Sequence, residues 1–77
     1  MSVSYNKLWK LLIDKNMKKG DLRVAANMSP GTLAKLGKNQ SVTTDVLERI
    51  CRALQCDIGD IVEVASFSED ADEGRNR

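Results

Sequence analysis

The sequence predicts an all-α fold, a compact bundle of five short helices, and three observations carry that expectation. Apolar residues recur at helical spacing in two separate stretches, Tyr5, Leu8, Trp9 and Leu12, then Val46, Leu47, Ile50, Cys51 and Leu54. Ser4, Ser29 and Thr43 stand where a side-chain oxygen can cap the first N–H groups of a helix. The chain has 77 residues, the length of a single small domain whose core must be economical.

The elements follow in order. Helix one is expected from Tyr5 to about Lys15, capped by Ser4, with Lys7, Lys10, Asp14 and Lys15 toward water. Leu11 and Ile13 widen its apolar stripe enough to meet more than one neighbour, and Tyr5 and Trp9 read as core and rim. Residues 18–26 form a second, shorter helix, in which Leu22 and Val24 are joined by small alanines that let another helix pack close. Asn27 ends it, since asparagine tolerates the left-handed backbone of a tight turn. Ser29 then caps a third helix that opens on Pro30, whose missing N–H costs nothing at that position, and runs to about Gly37 with Leu33 and Leu36 inward.

The polar stretch Lys38 to Val42 reads as a loop, after which Thr43 caps a fourth helix to about Leu54. Val46, Leu47, Ile50, Cys51 and Leu54 lie on its buried side, with Glu48, Arg49 and Arg52 opposite. Asp57 and Asp60 mark a fifth helix or turn over Ile58 to Val62, where Ile61 and Val62 close the core. Residues 1–65 are therefore expected to form the domain, and residues 66–77 an acidic, disordered tail.

Formal net charge is only +1, but the two parts of the chain differ. Residues 1–55 hold ten Lys or Arg against four acids, a balance of +6, and residues 56–77 balance to −5. A cationic body of this kind is drawn to phosphates, although a solvated basic surface has the same composition. With no histidine, no glycine-rich phosphate loop and no nucleophile beside a base, catalysis is not expected. Cys51 and Cys56 have neither a zinc-ligand spacing nor a disulfide framework around them, so no metal or other cofactor is expected. No apolar run approaches the roughly 18 residues of a membrane span, and the start of the chain lacks the order of a secretory signal. A soluble, unprocessed, cytoplasmic protein is the expectation.

Two short helices joined by Asn27, Met28 and Ser29, the second capped and carrying outward polar side chains, form a helix-turn-helix of the kind offered to a major groove. Over Tyr5 to about Val64 the sequence resembles the repressor and Cro family of bacterial and phage DNA-binding domains, the Xre-type regulators. The string from Lys19 to Leu36 carries the likeness, together with Val42 to Leu54 and its Leu47, Ile50 and Leu54 spacing. The resemblance implies a lambda-repressor-like five-helix bundle and sequence-specific binding of double-stranded DNA, as a homodimer on a palindromic operator.

It also implies roles at matching positions. Lys19 takes the phosphate-contacting place at the start of helix two; Ser29, Gly31, Thr32 and Lys35 open and line the recognition helix. Thr32 can reach a base edge or a thymine methyl, and Lys35 a guanine O6 or N7, or a phosphate. Lys38, Asn39 and Gln40 follow the helix, where side chains and backbone N–H groups hold the phosphate strand. Each could equally be a solvated surface residue.

Two positions depart from the family pattern, which has a small residue where Arg23 stands and glycine where Asn27 stands. Arg23 is either a clamp on the DNA backbone or a brace paired with Asp21 or Asp45, and the brace is the preferred reading. A different class of function also fits: an interaction module such as an antitoxin or accessory subunit, with the acidic tail engaging a protein partner. A dimer surface is expected on helix five with the end of helix one or four.

Overall fold

The computed structural model describes residues 3–64, and the expected tail of residues 66–77 lies outside that range. In chain order the elements are β1 (Val3–Ser4), α1 (Asn6–Asp14), α2 (Lys19–Ala25), α3 (Pro30–Gly37), α4 (Thr44–Leu54), a 3-10 turn (Ile58–Asp60) and β2 (Glu63–Val64). The fold is thus a helical bundle containing a helix-turn-helix, but the fifth helix is a single 3-10 turn. Asp57 N–H donates to Asp60 Oδ2 at 2.9 Å and caps this turn, but the chain passes into β2 at Glu63 before a full helix can follow.

The strands are a second difference from expectation. β1 and β2 pair antiparallel, Val3 opposite Val64 and Ser4 opposite Glu63, so the two ends of the described chain are stitched together. Ser4 is consequently buried in the strand, and Tyr5, not Ser4, takes the cap position of α1, although Ser4 Oγ still accepts from the N–H of Asn6 at 3.2 Å.

One core runs through the bundle: Tyr5, Leu8, Leu12, Leu22, Ala26, Met28, Leu36, Val46, Ile50, Leu54 and Ile61 are buried. Burying a leucine such as Leu36 stabilises by about 1.5–3 kcal/mol. α2 packs on both α3 and α4, so the first helix of the motif joins the second to α4. Ile13 and Val24 do not join them; at 73% and 69% exposed they face solvent, against the expectation that Ile13 widens the packed stripe. Val62 packs only partly against the core that Ile61 closes.

Each of these helices ends the same way. Asn16, Asn27, Asn39 and Gln55 all have φ between 54° and 57°, the left-handed region that asparagine enters at least cost after glycine. In each case the next N–H donates back five residues: Met17 to Leu12 at 2.9 Å, Met28 to Arg23 at 3.0 Å, Gln40 to Lys35 at 2.9 Å and Cys56 to Cys51 at 3.0 Å. These bonds satisfy the last carbonyls of the helices and turn the chain sharply back.

Candidate nucleic-acid interface

The presented helix, α3, is started by chemistry visible in its sequence. Ser29 Oγ accepts from the N–H of Thr32 at 3.1 Å, and Pro30 occupies the first helical position. Leu36 anchors the helix in the core and Leu33 is half-buried, while Gly31, Lys35 and Lys38 face solvent. Thr32 is half-buried, and its Oγ1 lies 3.0 Å from Ser29 Oγ, so its hydroxyl is already used in the cap. Its methyl and the two other hydrogen-bonding positions of its hydroxyl remain for a ligand. Gly31 has open space around it, a Cβ there meeting only Ser29 Oγ at 3.8 Å, which leaves the helix start free of bulk.

Thr32 and Lys35 meet at an open cleft of about 330 Å³ whose other walls are Ser41, Val42, Thr43 and Val46. Ser41 and Thr43 are not among the DNA-contacting candidates that the sequence suggests. The signal for Thr43 is the cap of α4, where its Oγ1 accepts from the N–H of Val46 at 3.3 Å. Lys19 and Lys38 do not line this cleft. Lys19 Nζ instead sits 4.4 Å from the centroid of the Trp9 ring, a cation over an aromatic face on the helix before it.

Asn39 and Gln40 are occupied in a way the sequence does not reveal. Asn39 Oδ1 accepts from the N–H of Tyr5 at 3.1 Å, and the carbonyl of Gln40 accepts from the Tyr5 hydroxyl at 2.8 Å. The loop after α3 is therefore pinned to the start of α1. The Asn39 amide N–H groups and the Gln40 side chain are left for a ligand.

Arg23 is half-buried, and neither expected acid braces it. Asp45 Oδ2 pairs with Arg49 Nη2 at 3.0 Å, and Asp21 Oδ2 accepts from the N–H of Lys18 at 2.9 Å, where it caps α2. Arg49 is the residue that braces the motif: its Nη1 donates to the carbonyl of Asn27, in the turn of the helix-turn-helix, at 2.6 Å. Among the described residues no group of His, Cys, Asp or Glu is arranged to hold a metal ion, and no helix is long and apolar enough to cross a membrane. Cys51 and Cys56 are half-buried free thiols, and burial followed by the neighbouring Cys56 pushes Cys51 up to about 11.

Comparison with known proteins agrees with this geometry. Residues 7–65 match the model of the Cro/C1-type HTH DNA-binding domain. A solved structure, the crystal structure of transcriptional regulator VanUg, is similar at 61% identity with a TM-score of 0.81, over 83% of this chain and 85% of that one. No curated protein matches the sequence.

Proposed function

We propose that this chain, which belongs to the family of Cro/C1-type helix-turn-helix DNA-binding domains, is a transcriptional regulator that reads a palindromic operator in double-stranded DNA as a two-fold dimer. The observation that carries the reading is the capped α3, anchored by Leu36 and offering Lys35 to solvent beside an open cleft. The similarity to a protein titled a transcriptional regulator supports the same role.

In this reading Lys35 contacts a guanine edge or a phosphate, and Thr32 offers its methyl to a thymine. Gly31 lets the DNA backbone approach closely. Ser29, Lys38, Asn39 and Gln40 hold phosphates and set register without reading sequence, and Lys19 does so by leaving the Trp9 ring. The opening Pro30–Gly31 pair supplies few polar groups, so DNA shape carries part of the specificity. Free thiols fit a reducing compartment, the cytoplasm.

Selection of duplexes from a random library by the purified full chain tests this. An enriched inverted repeat with half-sites about 34 Å apart, one helical turn, is expected. Enrichment of a lone half-site would overturn the dimer, and no enrichment would overturn sequence-specific binding.

A further inference from the structure

The side chain of Arg49 spans from α4 to the turn that joins α2 to α3, and we infer that it is a positioning residue for sequence reading. This rests on the DNA-binding reading above. The turn is four residues long, Ala26 to Ser29, and its conformation sets the angle at which α3 leaves α2. Asn27 holds φ 54° there, and Met28 N–H closes the turn on Arg23. These bonds fix the turn's donors. The Asn27 carbonyl is fixed from outside, by the guanidinium Nη1 at 2.6 Å.

The same guanidinium is held from behind by an ion pair, Nη2 lying 3.0 Å from Asp45 Oδ2, one turn earlier on α4. Both ends of the planar fork are thus committed, which no lysine can reproduce. The arrangement is also costly: Arg49 Nε is buried without a hydrogen-bond partner. A head group hydrogen-bonded on one arm and ion-paired on the other is not extended toward a phosphate, so Arg49 acts on DNA through the turn. Its periodic position opposite the α4 stripe gave no sign of this, because its acceptor lies 22 residues away.

The consequence is specific. α2 packs on α4, and Arg49 ties α4 to the hinge between α2 and α3. Releasing the tie leaves charge and core in place but frees the Asn27 carbonyl, so α3 samples a wider range of angles. Base contacts need fixed geometry, whereas phosphate contacts tolerate variation.

The test compares the wild-type chain with Arg49→Lys and Asp45→Asn, using a library-selected duplex, a scrambled duplex, and amide hydrogen exchange of Asn27 and Met28 without DNA. Arg49→Lys keeps the charge; it is expected to lose about 10-fold in preference for the selected duplex, the discrimination of one base contact, while scrambled-duplex affinity stays within about 2-fold. Exchange at Met28 is expected to quicken, and Asp45→Asn, which retains the bond to Asn27, to fall between the two. Should Arg49→Lys fail to fold, Asp45→Asn still decides, its expected result being a partial loss of preference with faster exchange. Unchanged preference with unchanged exchange overturns the assignment, as does an equal loss on both duplexes. If the wild-type chain prefers no duplex, the DNA reading fails instead, and unchanged exchange in the folded variants then rejects the tie itself.

Discussion

The hydroxyl of Tyr5 donates to the carbonyl of Gln40 at 2.8 Å, across 35 residues, while the N–H of Tyr5 donates to Asn39 Oδ1. One buried side chain at the start of α1 therefore fixes the loop that follows α3, and with it the C-terminal end of the presented helix. Burial pushes the Tyr5 phenol up from its ordinary value, so it remains a neutral donor through the physiological range.

Tyr5→Phe keeps the ring in the core and removes only this bond. The expected loss is about 1 kcal/mol, or roughly 4–8 °C in melting temperature for a domain this small. Calorimetry of the two proteins checks it, and identical melting curves would mean that the loop is held by other contacts.

The left-handed Asn27 separates two substitutions that look alike. Asn27→Gly is expected to leave stability nearly unchanged, whereas Asn27→Ala keeps the Cβ but loses the short polar side chain that eases the left-handed backbone, at a cost of about 1 kcal/mol. Urea unfolding of the pair reads the difference directly.

Trp9 is the sole tryptophan and has Lys19 over its ring, which makes it a reporter. A surface cation–π contact is worth about 0.5–1 kcal/mol, little enough for a phosphate to draw the ammonium away. Trp9 emission is expected to change on adding duplex. Lys19→Ala abolishes that change and lowers the slope of log affinity against log salt by about 0.9. An unaltered emission on saturating DNA would leave Lys19 on the ring.

The thiols supply a pH dependence. Burial is the first cause raising both Cys51, which reaches about 11, and Cys56. Because the folded state holds these protons more tightly, the stabilisation is fully present below the unfolded thiol value of about 8.5 and is lost as pH rises toward the folded value. Thermal melts are expected to show falling stability above about pH 8.5, abolished in a Cys51→Ala, Cys56→Ala double variant. Native thiols should also alkylate far more slowly near neutral pH than denatured ones.

What the sequence made legible was local. The caps at Ser29 and Thr43, the left-handed Asn27 and the apolar stripes of α1 and α4 are set within four or five residues, and they gave the helices to within a residue or two. The Val3–Val64 pairing involves two residues per strand, too few for any alternation to register. The short run after Asp57 carries a helix cap, but three residues beyond Asp60 the chain pairs with β1 instead. Among candidate site residues, exposure of Lys35 follows from the period of α3. The engagement of Asn39 and Gln40 by Tyr5, and of Asn27 by Arg49, depends on partners 22 to 35 residues distant that no spacing rule reaches.

The most direct measurement is a salt titration of Lys35→Ala and Lys38→Ala against a library-selected and a scrambled duplex. Lys35→Ala is expected to lose about 1–3 kcal/mol of preference for the selected duplex, and Lys38→Ala to weaken both duplexes alike while lowering the salt slope by about 1. Full preference retained without Lys35, or an affinity indifferent to salt, would contradict α3 as the helix that reads DNA.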